Sequence, residues 1–242
     1  MKSILSISPP LHRCARQVKR IGRLVTGRDV LYRYDIRPRK RLLGSVYGGW
    51  MIVPGRLNAG SVMYSFGVGN DISFDLEAIK EFGMTVHGFD PSPGVIRWIS
   101  ERRDLPARYF FHPYGLGPGD GVADFYKPEN GGMYSLTGGH GYKEENRIPL
   151  PTKRLLSIIG SLNTTYVDVL KMDIEGAEYA QIDAIIENRS LIGQLLIEFH
   201  HRIGVAPLKE TVNCVNRLRA AGFRLFHVSG TSSEFSFIRD TS

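Results

Sequence analysis

From Gly60 onward the apolar positions switch between two periods. Short apolar runs at Ser61–Phe66, Met84–Phe89, Ala107–His112, Val167–Met172 and Gln194–Phe199 read as buried strands. Between them the apolar residues recur at helical spacing. A helix is predicted over Ile72–Phe82, with Asp71 as its cap and Gly83 as its stop. Another opens at Pro93 behind Ser92, and three more are predicted over Lys153–Ile159, Ala177–Asn188 and Leu208–Ala221. Val122–Tyr126 reads as a short extra strand, and Glu129–Asn146 as a loop with five glycines. Gly230-Thr231-Ser232 turns Phe223–Val228 back into Glu234–Ile238, so the last two strands form a hairpin. The rest reads as strand–helix–strand crossovers. The predicted fold is α/β, a doubly wound, mostly parallel sheet that ends with an antiparallel member.

The segment before Gly60 is different. Leu11, Cys14, Val18, Ile21, Leu24 and Val25 recur at helical spacing, with Arg13, Arg16, Lys19, Arg20 and Arg23 in the gaps. This describes a basic amphipathic helix, suited to packing on the body, to an anionic membrane surface or to a second subunit. The 242-residue chain carries a net charge of +7, unevenly spread. Residues 1–45 hold 12 Lys/Arg against Asp29 and Asp35, a balance of +10, which leaves −3 for the remainder. The chain therefore divides into a basic arm, 1–59, and a near-neutral domain, 60–242. A near-neutral domain lacks the basic face that nucleic acid binding requires. Cys14 and Cys214 form no metal or redox spacing, no apolar run is long enough to span a membrane, and no signal-peptide core is visible. A cytoplasmic location is expected, with membrane contact at most peripheral through the arm.

Two turns carry the first chemistry. The strand ending at Phe66 runs into "FGVGNDIS", and such a glycine turn lets a ligand approach backbone at a helix N-terminus. Gly67 and Gly69 fit the start of a dinucleotide fingerprint, but Ile72 stands where its third glycine belongs. The second strand ends in "GFDPSP". Asp90 lies 21 residues beyond Gly69, where a carboxylate can bond both hydroxyls of a ribose. Asp90 as a mere helix cap is the competing reading, and Ser92 is better placed for that. Together the turns describe a site for an adenosine-type ligand without a diphosphate. A third strand end, "KMDIEGAE", sets Asp173, Glu175 and Glu178 where an open α/β sheet keeps its crevice. The helix dipole accounts for Glu175 and Glu178, but less well for Asp173 on the strand end.

"GFDPSP", "VDVLKMDIEGAE" and "QLLIEFH", in this order and spacing, resemble the FkbM-type methyltransferases, class I enzymes that use S-adenosyl-L-methionine. The resemblance runs from about Gly60 to Ile238. It implies a Rossmann-like sheet of seven strands with the last antiparallel, and O-methylation of a hydroxyl on a sugar, glycan or natural product. It implies cofactor contacts from Phe66, Gly67, Val68, Gly69 and Asp71 in the first turn and from Asp90 and Pro91 in the second. "FHPYGLG" would line the adenine through Gly115 and Leu116. The family's first motif opens with an acid, whereas this chain has Ser65 at or near that place. Asp71 and the carbonyls around Phe66–Gly67 are then the groups expected to receive the cofactor's amino group.

Methyl transfer from a sulfonium is an in-line displacement, and a hydroxyl nucleophile must also lose its proton. Asp173 and Glu175 are each placed to take that proton or to orient the acceptor, and His200 is a further base. His201 is expected to point the other way, and Lys171 to pair with an acid. Asp173, Glu175 and His200 also read as ligands for magnesium or manganese, though the resemblance requires no metal. The loop from Gly131, Gly132, Met133, Tyr134 and Ser135 through His140 is expected to shape the acceptor site. Two further readings are a binding module that keeps the fold without catalysis, and a nicotinamide-dependent oxidoreductase, the latter disfavoured by Ile72.

Overall fold

A computed structural model describes residues 22–27, 29–128, 133–138, 142–202 and 205–240. Most of the expected amphipathic helix lies outside the described residues, as do Gly131, Gly132 and His140 of the glycine-rich loop. Among the described residues no helix is long and apolar enough to cross a membrane.

Two three-residue strands come first, β1 (Arg41–Leu43) and β2 (Trp50–Ile52), paired as a hairpin. Then β3 (Val62–Phe66) leads into α1 (Ser73–Phe82), and β4 (Thr85–Phe89) into α2 (Pro93–Glu101). β5 (Tyr109–His112) and β6 (Gly115–Leu116) precede a long antiparallel pair, β7 (Gly121–Pro128) and β8 (Tyr142–Lys153). After α3 (Leu155–Ser161) come β9 (Val167–Met172), α4 (Glu178–Glu187), β10 (Ile192–Glu198), α5 (Leu208–Ala220), β11 (Phe223–Val228) and β12 (Glu234–Arg239).

The main sheet has seven strands in the order β11-β12-β10-β9-β3-β4-β5. β12 runs antiparallel to both its neighbours, and the remaining pairs are parallel. This is the sheet expected, including its antiparallel last strand. The chain moves outward from β3 through β4 to β5, then returns to β9 and moves the other way. Strand order thus reverses between β3 and β9, and a crevice opens beyond their carboxyl ends.

Strand alternation sorts the core. Tyr64, Phe66, Leu170 and Met172 face α3, α4 and α5. Met63 and Val169 face the opposite side with Phe74, Ala78 and Ile79 of α1 and Val95 and Ile99 of α2. The hairpin completes that second layer. Leu43, Trp50 and Ile52 are buried there, worth roughly 1.5–3 kcal/mol for each large aliphatic side chain. Gln194 of β10 fixes the hairpin's exit, accepting from Val53 N–H at 2.8 Å and donating to its carbonyl at 3.0 Å. The residues before it also touch the body: Asp35 N–H donates to Leu225 O at 2.8 Å, and buried Asp29 pairs with Arg202 at 3.0 Å.

Several expectations change. The predicted elements appear with ends moved by a residue or two, but β1 and β2 have no counterpart among them. Such short strands carry too little periodicity to register. The expected glycine loop over Glu129–Asn146 is shorter, since β8 begins at Tyr142 and pairs with a longer β7. With β6 these form a separate three-stranded sheet. Charged residues on the exposed face of β8 hide its pattern. Ser92 does occupy the N-cap of α2, yet its side chain makes no capping bond.

The tightest backbone approach in the fold lies at the switch point. Gly67 has φ +76°, and a Cβ there would sit 1.6 Å from the carbonyl oxygen of Asp173. Gly67→Ala must therefore push the β3 turn off the end of β9. Overpacking costs about 1–3 kcal/mol, and this contact presses on backbone, so the upper end is expected. Urea unfolding should show it as a lower midpoint. A variant as stable as the wild type would show that the two turns are free to separate.

Candidate functional site

A cleft of about 910 Å³ opens over the carboxyl ends of the central strands. One half is built by the turns after β3 and β4. Phe66 O accepts from Asp173 N–H at 3.1 Å, and Gly67 N–H donates to Phe89 O at 3.0 Å, so both turns are hung from neighbouring strands. Asp90 sits beneath them, buried. Its carboxylate accepts from Gly69 N–H at 3.1 Å and from Ser92 N–H at 2.9 Å. Burial pushes its pKa up, opposed by these hydrogen bonds from Ser92 and Gly69. Asp90 therefore braces the two turns, and its unused lone pairs remain for a ligand. Gly115 and Leu116 form the far wall, where a Cβ on Gly115 would meet Pro91 at 3.1 Å.

Gly67, Val68, Gly69, Asp71, Asp90, Pro91, Gly115 and Leu116 all line the cleft. Phe66 does not. Its ring lies in the core, stacked on Phe89 at 4.4 Å, and only its carbonyl reaches the turn. That carbonyl and its neighbour are occupied, since Lys171 Nζ donates to Gly67 O at 2.6 Å and to Phe66 O at 3.3 Å. Asp71 is bonded as well. It accepts from the Ser45 hydroxyl at 2.6 Å and from Ser73 N–H at 2.8 Å, although Ile72, and not Asp71 as expected, occupies the N-cap of α1. Burial opposes its charge, but those hydrogen bonds outweigh it and hold the carboxyl below its ordinary range.

The other half of the cleft belongs to "KMDIEGAE". Asp173, Glu175 and His200 converge here, although 27 residues separate the first from the last. His200 Nε2 lies 3.6 Å from an oxygen of Asp173 and 3.6 Å from one of Glu175. Its Nδ1 lies 3.0 Å from Glu178, which is fully buried and also accepts from Ile174 N–H at 2.7 Å. Burial alone would strip the imidazole of its proton. Glu178, Asp173 and Glu175 together outweigh that and raise its pKa to about 10. At neutral pH His200 is thus a cation that ties three carboxylates together. Burial also raises Glu175, with His200 opposing. Glu198, at the end of β10, is pushed up to about 8 by burial and by Asp173. His201 turns away, its Nδ1 3.3 Å from the Thr211 hydroxyl.

Glu175 is held in a left-handed backbone, φ +54°, followed by Gly176 at φ +99°. Such strain in a non-glycine residue persists only where neighbours enforce it. Here they do: Glu175 O accepts from the Ser135 hydroxyl at 2.6 Å and from the Thr137 hydroxyl at 3.3 Å. The described part of the glycine-rich loop therefore clamps the acid turn, and its Met133, Tyr134 and Leu136 line the cleft. Asp173, Glu175 and His200 also offer donor atoms within 4.8 Å of one another, the only such group among the described residues. The oxygen-rich donor set fits magnesium or manganese, and Glu178 behind His200 supplies the second carboxylate that often orients a ligating imidazole.

Reading along the chain missed several residues of this cleft: Trp50, Ser65, Asp75, Glu198 and Glu234. Trp50 and Glu234 carry no signal that a sequence pattern could use. Ser65 did carry one, standing where an acid was expected.

The family model of the methyltransferase FkbM domain matches residues 34–225. No curated protein matches the chain. Among solved structures, a fibrillarin pre-rRNA processing protein of Methanococcus jannaschii is similar at 12% identity and TM-score 0.48, over 84% of each chain. Aeropyrum pernix fibrillarin with natively bound S-adenosyl-L-methionine is similar at 11% identity and TM-score 0.42, over 76% of this chain and 67% of that one. A methyltransferase from Pyrococcus furiosus is similar at 16% identity and TM-score 0.38, over 94% of this chain and 98% of that one.

The charge cluster has a pH signature. An imidazole whose folded pKa is raised holds its proton more tightly folded than unfolded. Its stabilisation is full below about pH 6.5 and is lost as pH climbs to about 10. With a chelator present, wild-type stability should decline across that window, and His200→Gln should flatten the decline. Equal slopes in denaturant titrations would show that the carboxylates do not hold the proton on His200.

Proposed function

This chain belongs to the FkbM methyltransferase family, and on that premise we propose that it methylates a hydroxyl oxygen of a sugar, glycan or natural product. One observation carries the reading. The ribose-type carboxylate Asp90 and the acid pair Asp173 and Glu175 face one cleft from opposite sides of the topological switch.

When bound, S-adenosyl-L-methionine would supply an electrophilic methyl group to the acceptor oxygen, its sulfur keeping the electron pair of the broken bond. The chain's part is mainly positional, worth up to roughly 7–11 kcal/mol. Asp90 holds the ribose, while Gly115 and Leu116 offer bare backbone for the base. Asp173 accepts the acceptor's hydroxyl hydrogen, orients the oxygen and takes the proton as the bond forms. Glu175 lies beside it for a second hydroxyl. His200, already protonated, cannot serve as the base. It keeps the two carboxylates from moving apart. The cleft is also lined by Glu198, Ser229, Thr231, Ser233 and Glu234, a polar wall suited to a polyol. The basic arm stays in this reading as a contact for an anionic surface or a second subunit.

A second reading rests on the convergence of Asp173, Glu175 and His200 within 4.8 Å. With a magnesium or manganese ion held by these three, acceptor hydroxyls would bind to the metal, and His200 would give up its Nε2 proton to become a ligand through that atom.

Asp173→Asn keeps size and removes basicity. It is expected to fold, to bind S-adenosylhomocysteine like the wild type, and to lose turnover by about 10²–10⁴-fold. Near-normal transfer from labelled S-adenosyl-L-methionine to the acceptor would sink both readings. EDTA separates them: indifference supports the carboxylate alone, and loss restored by magnesium or manganese supports the metal.

Asp90→Ala should weaken S-adenosylhomocysteine binding by about 1.5–3 kcal/mol per lost hydrogen bond, measured by calorimetry. Unchanged affinity would remove Asp90 from the site. Tight binding of NAD instead would favour an oxidoreductase.

A further inference from the structure

Among the described residues eight large apolar side chains are exposed, and five of them, Val25, Leu31, Leu42, Val46 and Tyr47, come before the first strand of the main sheet. Val46 and Tyr47 stand out furthest, 95% and 88% exposed in the turn between β1 and β2. That turn is not loose. Gly44 N–H donates to Glu77 and Ser45 N–H to Ser73, which tie it to α1. The Ser45 hydroxyl accepts from Tyr47 N–H at 3.1 Å and from Gly48 N–H at 2.8 Å. A Cβ on Gly44 would meet the Phe74 backbone at 2.8 Å, so the turn lies against the helix. A fixed frame thus holds the two side chains out in solvent.

The segment leading into this hairpin lies on the body with its charges sorted. Tyr32 packs edge-on against Phe235, Asp35 N–H donates to Leu225 O of β11, and Lys40 Nζ donates to Phe226 O at 3.0 Å. Burial alternates along it. Tyr32, Tyr34 and Lys40 are half-buried, whereas Arg33, Arg37 and Arg39 are exposed. The two acids of the arm are spent on the body, Asp29 on Arg202 and Asp35 on Arg219, each at 3.0 Å. Arg41 is matched by Glu77 and Glu81 of α1. Arg33, Arg37 and Arg39 form no ion pair among the described residues.

We propose that this tip and its arginine flank are a docking surface for an anionic lipid bilayer, with Val46 and Tyr47 entering the headgroup layer and Arg37 and Arg39 meeting lipid phosphates. The proposal rests on the arm contact stated above and commits it to one partner and one set of residues; it does not depend on the transfer chemistry. Charge and polarity select this occupant. Exposed apolar side chains gain by leaving water, and each arginine gains at an anionic surface. A nucleic acid would use the arginines, but it recognises side chains by stacking bases on aromatic rings, which Leu42 and Val46 lack. A second copy in a two-fold contact would set these arginines against the same arginines. Leu42, Val46 and Tyr47 also line the cleft, so a chain seated this way holds its cleft beside the lipid surface.

Sedimentation of the full chain with vesicles tests it. Phosphatidylcholine vesicles that contain phosphatidylglycerol should bind the protein about tenfold or more tightly than pure phosphatidylcholine. An arginine at such a surface is worth about fivefold in affinity, so Arg37→Gln with Arg39→Gln should lose about 25-fold. Val46→Ser with Tyr47→Ser should lose about tenfold or more, with the thermal midpoint unchanged because both side chains are already in water. Tyr47→Trp puts an indole at the tip, and brominated lipid should quench it beyond the quenching that wild-type Trp50 and Trp98 show. Full binding by both double variants would place the contact elsewhere in the chain and overturn this surface, as would an unquenched indole in the bound protein. Binding that needs the arginines but not Val46 and Tyr47, and that is equally tight for soluble heparin, would overturn lipid in favour of a polyanion. A concentration-dependent dimer that ignores vesicles would overturn it in favour of a second copy. A monomer that binds no vesicle would overturn the arm contact itself, a different signature.

Discussion

The crossing of two backbones at the switch point sets the rest of the site. The glycine turn after β3 lies directly on the end of β9, with Asp173 N–H donating to Phe66 O and the Asp173 carbonyl under the Gly67 α-carbon. Two strands far apart in sequence thereby end at one point. The turn that braces Asp90 and the turn that bears Asp173 and Glu175 cannot shift independently. Transfer chemistry needs donor and acceptor in line, and this contact fixes the distance between the parts proposed to hold them.

Charge is arranged on that frame in two compact groups. On one side a protonated His200 gathers Glu178, Asp173 and Glu175, with the fully buried Glu178 anchoring it from below. On the other, Lys171 reaches beneath the glycine turn to Phe66 O and Gly67 O, lies 5.9 Å from the ring of Trp50 and favours the charged form of buried Asp75. Each group sets cations against carboxylates in a place where an unpaired charge would be costly. The absence of an acid at Ser65 fits this balance. A carboxylate on the strand as well would put a third acid beside Lys171, next to Asp75 and Asp173.

The peripheral elements act as fasteners of these parts. The turn between β1 and β2 is tied to the start of α1: Ser45 N–H donates to the Ser73 hydroxyl at 2.7 Å, the Ser45 hydroxyl to Asp71, and Gly44 N–H to Glu77 at 2.6 Å. Trp50 thus comes to rest beside Lys171. On the opposite side, Ser135 and Thr137 hold Glu175 in its left-handed conformation. Neither the hairpin nor the small sheet belongs to the seven-stranded frame, yet each fixes one wall of the cleft.

Much of this was legible in the sequence because strand and helix periods are local. The crossovers from β3 to β10, the antiparallel β12, the stop at Gly83 and the acid-bearing strand end could all be read from spacing and turn chemistry. Asp90 and Asp173 stood out because strand ends in an α/β sheet are where ligands meet the chain. Pairing across long separations could not be read. The short strands β1 and β2 carry no period. The contact of Ser135 with the Glu175 carbonyl joins backbone to a side chain 40 positions away. The protonation of His200 depends on its own burial and on the three carboxylates gathered round it, and no sequence pattern encodes either. Asp75 is an acid in a first helical turn, a place the dipole favours in any helix. Only the packing of α1 onto the sheet turns that carboxylate inward to Ser65 and Lys171, because a helix's rotation about its axis is set by the core it covers.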